Sequence, residues 1–246
     1  MKRLEPEQDA FGAVLLDYLS GKHQAATVVE RDDGFFDAEK PRAYFAPFRS
    51  WFDVERQVLR EVRGRVLDVG VGAGRVALEL QRRGHDVLGI DVSPLTLRVA
   101  RKRGVRRTKL VPLDEVGPEL GTFDTVVMFM NNFGLLESEA KAKRVLRRLH
   151  RVTNERGRIV ATTRDPRGPR AEHRAYERRN RERGRMPGQI RYRLHYRLRA
   201  TPWFDWLFVS PKELESLVRG TGWHVHRLVQ KDDDGFYALV LEKDTE

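Results

Sequence analysis

The chain has 246 residues, a formal net charge of +11 at pH 7 and no cysteine. This length fits one α/β domain with additions, or a domain with a cap. The lack of cysteine excludes disulfides and zinc sites built from thiolates. No apolar run of about 18 residues is present, and the first residues lack an apolar signal core. We therefore expect a cytoplasmic protein without a transmembrane helix.

Residues 1–63 are predicted to form a helical cap that is rich in aromatic side chains. One helix is expected over residues 11–19, and a second helical segment at 51–62 leads into the first strand of a sheet. The aromatic-rich residues between these helices have no regular period, so we expect irregular structure at 32–36 and 41–51.

A glycine-rich turn is the most informative motif of the chain. A short apolar strand ends at Val69, and Gly70, Gly72 and Gly74 follow before a helix. Glycine allows a sharp turn and the close approach of a ligand, and the N-terminus of the helix presents unpaired N–H groups. The next strand ends at Asp91, whose carboxylate can accept hydrogen bonds from the two hydroxyl groups of a ribose. The motif therefore predicts a site for an adenosine-containing cofactor.

The spacing of the glycines distinguishes between two kinds of cofactor. A dinucleotide fingerprint has the spacing G-x-G-x-x-G, whereas here the third glycine comes one residue early and an acid stands two residues before the first. The pattern D-x-G-x-G-x-G resembles the first motif of the class I S-adenosylmethionine-dependent methyltransferases. We favour this interpretation over a nicotinamide or flavin site, and over a turn that only tightens a strand–helix junction.

This resemblance implies the methyl donor S-adenosyl-L-methionine and the product S-adenosyl-L-homocysteine. It also implies a set of cofactor-binding residues in and around the turn: Asp68, Gly70, Val71, Gly72, Gly74, Arg75, Asp91 and Val92.

The later strands follow the order of the same family. A third strand ends at Asp114, where the resemblance implies an acceptor for the adenine amino group, with the backbone of Glu115 beside it. The apolar run 123–132 is typical of a buried central strand, and Asn131 near its end matches the position of the family's fourth motif. The resemblance therefore implies that Asn131 contributes to both the cofactor site and the transfer site. A fifth strand is expected at 157–163.

The C-terminal part of the chain completes the predicted sheet. A capping box at 210–213 begins a further helix, and strands at 222–230 and 236–242 are joined by a hairpin turn signal. The resemblance spans roughly residues 64–243 and implies the fold class. This is a three-layer, doubly wound α/β fold with a seven-stranded, mostly parallel sheet and one antiparallel strand. We assign residues 64–246 to this domain.

An insertion at about 164–209 separates the fifth strand from the capped helix. It is predicted to contain a helix at 170–183 and two strands, the first of them at 191–199. Ligands bind at the carboxyl ends of parallel strands, so an insertion after the fifth strand is expected to cover the acceptor substrate. The alternation in the first inserted strand predicts one face with four apolar side chains: Tyr192, Leu194, Tyr196 and Leu198.

Positive charge is concentrated in the insertion. Residues 164–199 contain 13 arginines, no lysine and four acidic residues, for a net charge of +9. Such a segment can bind the phosphates of RNA or an anionic metabolite, or it can be an ordinary solvated surface. An arginine-rich composition without cysteine would also suit a thermophilic protein.

The reaction that the family carries out needs few catalytic groups. Transfer from a sulfonium is an in-line displacement, so alignment and the exclusion of water matter most. The candidate residues at the substrate and transfer site are Asn131, Tyr44 and His195. His224 and His226 lie two apart on a late strand, but with no third ligand apparent we predict no metal site.

The acceptor is the least determined part of the predicted reaction. An N-P-P-Y-like motif, which accompanies adenine-N6 methylation, is missing where the chain has Asn131, Asn132, Phe133 and Gly134. The lack of cysteine excludes C5 methylation of pyrimidines through a covalent adduct. Our leading hypothesis is an enzyme that methylates an O, N or C atom of a small molecule. The alternatives are an RNA methyltransferase whose insertion binds phosphates, and a family member that binds the cofactor without catalysis.

Overall fold

The computed structural model describes residues 2–167, 171–230 and 235–244. The helices in these residues are α1 Ala10–Leu19, α2 Asp53–Val58, α3 Arg75–Arg82, α4 Pro94–Lys102, α5 Glu139–Arg151, α6 Ala171–Glu182 and α7 Pro211–Val218. The strands are β1 Thr27–Arg31, β2 Phe36–Glu39, β3 Val66–Val69, β4 Val87–Asp91, β5 Thr108–Leu110, β6 Phe123–Met128, β7 Thr153–Arg164, β8 Gln189–Tyr196, β9 Arg199–Ala200, β10 Phe204–Leu207, β11 Trp223–Gln230 and β12 Phe236–Lys243.

Seven of these strands form the main sheet, in the order β11-β12-β7-β6-β3-β4-β5. β4 pairs with β5 and β6 pairs with β7 in parallel, whereas β12 runs antiparallel to both β7 and β11. The predicted fold class, a mostly parallel seven-stranded sheet with one antiparallel strand, is confirmed.

The local sequence explains why these elements form. All four residues of β3 are buried, as expected of a central strand covered on both faces. The capping box predicted before α7 is present, because Ser210 and Glu213 exchange side-chain to backbone hydrogen bonds. The predicted inserted helix is observed as α6. Arg170, its predicted first residue, and residues 232–234 of the predicted hairpin turn lie outside the described residues.

A second sheet joins the N-terminal segment to the insertion, in the order β10-β8-β1-β2, with β9 paired to β8. β1 is antiparallel to β2 on one side and to β8 on the other, with Val28 opposite His195 and Glu30 opposite Arg193. The prediction of irregular structure at 32–36 was wrong for Phe36, which begins β2. Pairing with a distant strand orders this hairpin, and residue periodicity does not report such pairing.

The predicted strand 191–199 was too long. β8 ends at Tyr196, since Arg197 adopts a left-handed backbone conformation (φ 52°) and turns the chain towards β9. Leu198 lies in this turn and is 99% exposed, whereas Tyr196 is buried. Leu198 therefore does not share a buried face with Tyr196, and residues 192–195 of β8 are all half-buried rather than alternately buried and exposed.

The chain divides into two compact units. The first comprises the residues up to 51, together with 67–115 and 191–204; the second comprises 52–66, 116–190 and the residues from 205 onwards. The predicted boundary between residues 63 and 64 follows chain order and stays a prediction. Among the described residues, no helix is long and apolar enough to cross a membrane.

A buried aspartate ties α1 to the loop after β4, within the first unit. The Asp9 carboxylate accepts hydrogen bonds from the Gly12 N–H (3.0 Å), the Ser93 hydroxyl (2.6 Å) and the Leu95 N–H (3.0 Å). Asp9 therefore caps α1 while it bonds to the first turn of α4. The N-terminal helix is thereby fixed beside the residues that follow Asp91.

Candidate functional site

The glycine turn after β3 adopts the backbone that its sequence predicts. Gly70, Gly72 and Gly74 have φ of 70°, 55° and 79°, in the left-handed region that favours glycine. A Cβ on Gly74 would lie 2.5 Å from a methyl of Val105, so close packing also requires glycine there. The nearest atom to a Cβ on Gly72 would be 3.8 Å away. The turn is therefore open at Gly72, where a ligand can approach the backbone.

Asp68 supplies a buried carboxylate next to this turn. Its side chain is 2% exposed, and its Oδ2 has no hydrogen-bond partner among the described residues. Burial, and to a smaller extent the charge of Asp91, raises the pKa of Asp68 to about 7, against the effect of a hydrogen bond from the Ala77 N–H. A buried carboxylate oxygen without a partner is costly, and a cationic group such as the ammonium of an amino acid would satisfy it.

Asp91 ends β4 with its carboxylate held in a fixed orientation. Oδ2 accepts a hydrogen bond from the Gly72 N–H at 3.2 Å and Oδ1 accepts one from the Ser93 N–H at 3.0 Å. Burial raises the pKa of Asp91 to about 6. Each carboxylate oxygen can accept a second hydrogen bond, so the pair can receive the two hydroxyl groups of a ribose. The neighbouring Val92 uses its carbonyl to accept the Leu4 N–H at 3.0 Å.

Tyr44 lies beside the glycine turn, with its ring 4.0 Å from the position of a Cβ on Gly72. Its hydroxyl donates a hydrogen bond to Glu39 at 2.8 Å. Burial raises the pKa of Tyr44 well above its usual value, and the charge of Glu39 adds to this effect. Tyr44 therefore stays neutral, which suits a group that shapes the site better than a general base. The Arg75 guanidinium stacks 4.0 Å from the Trp51 ring centroid.

The segment after β5 holds the two residues predicted to face adenine. Asp114 is half-buried in a short 3-10 helix, Leu113–Glu115. The Glu115 N–H donates to the Pro112 carbonyl at 2.8 Å, and the Glu115 side chain forms an ion pair with Arg3 at 3.0 Å. The Glu115 N–H is thus used within the turn, and the adenine contacts of Asp114 and Glu115 stay predictions.

Asn131 follows β6 in a strained conformation. Met130 and Asn131 both have left-handed backbones, with φ of 55° and 63°, a strain that clusters at functional sites in proteins. The Asn131 N–H donates to the Thr162 hydroxyl at 3.0 Å, while its side-chain Oδ1 has no partner among the described residues. An amide oxygen is therefore left available for a ligand after β6.

The insertion contacts this same loop through Trp206 of β10. A Cβ on Gly134, three residues after Asn131, would lie 2.0 Å from the indole nitrogen of Trp206. The glycine is therefore required because the indole packs directly on the backbone. Sequence analysis did not identify this contact, since nothing in the pattern of either segment pairs these two residues.

His195 lies in a separate ionic cluster on β8. Its Nε2 is 2.6 Å from the Glu30 carboxylate, which also accepts two hydrogen bonds from Arg193. The hydrogen bond with His195 is the largest cause of a lowered pKa of Glu30. The next residue, Tyr196, packs against α1, so strand alternation points His195 to the opposite face. Its contacts do not join it to the glycine turn, and its catalytic role stays a prediction.

Three residues at the site were missed by sequence analysis: Asp9, Glu39 and Arg103. Asp9 stands immediately before α1, a position typical of a helix cap, so that signal was available. Arg103 donates hydrogen bonds to the carbonyls of Tyr44 (3.3 Å) and Ala73, and no local pattern indicates such a contact.

Comparison with known proteins agrees with this geometry. Residues 66–157 match the family model described as a methyltransferase domain. A SAM-dependent methyltransferase from Bacteroides fragilis, crystallised with S-adenosyl-L-homocysteine, superposes with a TM-score of 0.84 at 24% identity and covers 99% of this chain and 98% of that one. Its fold is therefore shared over nearly the whole length of both chains.

Curated relatives match over shorter stretches. A putative methyltransferase from Geobacillus sp. (strain WCH70) is 27% identical over 123 residues, covering 47% of this chain and 50% of that protein. A ubiquinone biosynthesis O-methyltransferase from Bordetella avium (strain 197N) is 31% identical over 97 residues, covering 35% of this chain and 40% of that protein. The chain thus spans half or less of the length of these two relatives.

The glycine turn, the paired acids and the sheet order together define a Rossmann-like protein of the methyltransferase type. Residues 66–157 are similar to the methyltransferase domain of that family model, and the chain as a whole has the fold of the SAM-dependent methyltransferase from Bacteroides fragilis. The Bacteroides fragilis protein was crystallised with S-adenosyl-L-homocysteine, and Asp68, with its unpartnered buried oxygen, fits the ammonium group of an amino-acid ligand of that kind. The individual residue assignments stay predictions.

We expect the stability of the ligand-free protein to fall as pH rises, because of Asp68. The folded-state pKa of about 7 lies above the ordinary aspartate value of 3.8, so the folded state binds the proton more tightly than the unfolded state. The free energy of unfolding should therefore decrease by about 2–3 kcal/mol between pH 5 and pH 8, relative to an Asp68→Asn variant. Urea denaturation of both proteins at the two pH values measures this difference, and parallel pH profiles would contradict it.

Replacement of Asp91 should weaken cofactor binding. Asp91→Ala removes a charged hydrogen-bond acceptor, so S-adenosylmethionine should bind about 1–3 kcal/mol less tightly by calorimetry. The exposed Asp86, just before the same strand, provides the matched control as Asp86→Ala. Equal affinities in the two variants would show that Asp91 does not bind the cofactor.

Proposed function

We propose that the protein transfers the methyl group of S-adenosyl-L-methionine to an O, N or C atom of a small-molecule acceptor. The observation that carries this proposal is the position of the insertion: Trp206 packs on Gly134, in the loop that begins with Asn131. In doubly wound sheets, ligands bind where the parallel strands end. An aromatic side chain that covers the loop after β6 suits a small, enclosed acceptor.

The shared second sheet supports the same proposal. β8 of the insertion pairs with β1 of the N-terminal segment along Val28–Arg31 and Tyr192–His195. The two segments predicted to cover the acceptor therefore form one hydrogen-bonded structure. Backbone pairing gives a more rigid cover than two separate loops would, and a rigid cover aligns reactants and excludes water.

The charges of the insertion favour a small molecule over RNA. Several of its arginines form ion pairs with acidic side chains of this chain: Arg167 with Asp165, Arg181 with Glu177, Arg185 with Asp205, Arg193 with Glu30 and Arg197 with Asp17. An arginine that is paired within the protein has less capacity to neutralise a phosphate. Asp205, Glu30 and Asp17 lie outside residues 164–199, so their three ion pairs are not included in the net charge of +9, which therefore overstates the positive charge offered to a polyanion.

Methyl transfer from a sulfonium depends more on the positioning of the reactants than on proton transfer. The cofactor supplies a methyl group on a sulfonium, which is a good leaving group. The proposed roles of the first unit are to orient the ribose hydroxyls at Asp91 and to pair the ammonium of the cofactor's amino-acid end with Asp68. In the second unit, the Asn131 amide is proposed as a contact for the acceptor. The imidazole–carboxylate pair of His195 and Glu30 is a candidate for deprotonating a hydroxyl acceptor. The similarity to the Bordetella O-methyltransferase gives oxygen some preference as the methylated atom.

The chemical class of the acceptor can be identified by following the methyl group. The protein is incubated with tritiated S-adenosylmethionine and a cell extract, which is then separated into small-molecule, RNA and protein fractions. We expect the label in the small-molecule fraction, and background counts with Asp91→Ala at limiting cofactor. Label in RNA would replace this proposal with the RNA alternative, and cofactor binding without labelling of any fraction would indicate a non-catalytic protein.

Replacement of Trp206 should slow methyl transfer and leave the affinity for the cofactor unchanged. Trp206→Ala uncovers the loop after β6, so we expect methyl transfer to the labelled acceptor to fall roughly tenfold or more through lost alignment. Affinity for S-adenosylhomocysteine should stay within about twofold, since the glycine turn does not depend on this ring. Trp206→Phe keeps an aromatic ring and serves as the control. An equal loss of cofactor affinity in the folded alanine variant would contradict the assignment.

A further inference from the structure

Two histidines of the outer strand of the main sheet lie close to a carboxylate of the neighbouring strand. β11 is an edge strand in that sheet, and it is anchored by the buried Trp223, whose Nε1 donates to the Leu146 carbonyl at 2.9 Å. His224 pairs with Glu242 of β12 in the strand register. The register shifts between Val225 and Arg227, so His226 is the extra residue of a β-bulge. Bulges at sheet edges redirect side chains and often accompany sites.

The ligand atoms of these residues are close together. His226 Nδ1 lies 3.3 Å from Glu242 Oε2, and the candidate donor atoms of His224, His226 and Glu242 all lie within 4.8 Å of one another. His224 Nδ1 also lies 3.3 Å from Asp244 Oδ1. Both histidines are exposed, so an ion has direct access from solvent.

These distances fit a tetrahedral metal ion. Nitrogen and oxygen ligands of zinc lie about 2.1 Å from the metal, so two ligand atoms of a tetrahedral site are about 3.4 Å apart. The 3.3 Å between His226 and Glu242 matches that separation. Imidazole nitrogens select transition metals such as zinc, copper and nickel over magnesium and calcium, which prefer oxygen.

The Glu242 carboxylate is oriented by groups behind it. Its Oε1 receives a hydrogen bond from Arg158 at 2.5 Å, and Arg158 also donates to Glu61 at 3.0 Å. Arg158 is largely buried, so this pair holds the carboxylate with Oε2 directed at His226. Groups that hydrogen-bond to a metal ligand fix its orientation, and their removal lowers metal affinity about 10–100-fold. Glu61 offsets the positive charge that Arg158 brings near the ion.

We propose that His224, His226 and Glu242 bind a divalent transition-metal ion, zinc being the best match, with Asp244 or water as the fourth ligand. The ion would link β11 to β12 through its ligands. The site uses residues that have no role in the methyl-transfer proposal, so each proposal can be tested independently of the other. Sequence analysis predicted no metal because the carboxylate ligand comes from the following strand.

Metal binding can be measured without any enzymatic assay. The full chain, freed of metal with a chelator and dialysed, is titrated with Zn²⁺ by calorimetry and with Co²⁺ by visible absorption. We expect one equivalent of Zn²⁺, a Co²⁺ spectrum of tetrahedral intensity, and a higher thermal unfolding midpoint with Zn²⁺. Binding by His226→Gln should be weaker by roughly tenfold or more, and Asp244→Asn tests the fourth ligand.

Controls separate this site from general histidine binding. His23→Gln removes an exposed histidine on another element, and Leu228→Gln changes an exposed, non-ligand residue on β11 itself. Both should bind Zn²⁺ as the unmodified protein does. The proposal is overturned if the unmodified protein binds no stoichiometric Zn²⁺, or if a folded His224→Gln, His226→Gln double variant binds it equally well.

Discussion

The buried carboxylate of Asp68 is the constraint on which the predicted cofactor site depends. It stands at the end of a strand with no access to water, receives one N–H from the start of α3, and leaves one oxygen without a partner among the described residues. The negative charge of the nearby Asp91 also disfavours the ionised form of Asp68. The ligand-free fold therefore carries an electrostatic cost that a cationic ligand offsets.

Asp91 and the glycine turn depend on the N-terminal segment for their positions. Asp9 bonds to Ser93 and Leu95 immediately after Asp91, and Arg103 connects the carbonyls of Tyr44 and Ala73. These are contacts between distant parts of the sequence that converge on one loop and one turn. The N-terminal residues thus contact the predicted cofactor site and are also a predicted cover for the acceptor.

The parts of the fold that could be predicted are those that depend on residues close to one another in the sequence. Gly70, Gly72 and Gly74 have left-handed backbones, Ser210 caps α7, and the apolar runs became buried strands, because each depends on local conformation or local periodicity. What was missed depends on long-range pairing. The β1–β2 hairpin requires β8, and the contact of Trp206 with Gly134 requires two segments that no local pattern relates. The alternation in β8 predicted a buried Leu198 because it carried no sign of the turn at Arg197.

The pairing of β1 with β8 has a consequence for the order in which the protein is made. Glu30 and Arg193 are separated by 163 residues, so a ribosome that adds about 5–20 residues per second completes β1 on the order of ten seconds before its partner. During that interval the hairpin has an unpaired edge, which is the kind of edge that can pair with another chain. A helper protein or slow early translation would have most effect in that interval, and the sheet that contains β1 and β8 would be among the last parts of the molecule to mature.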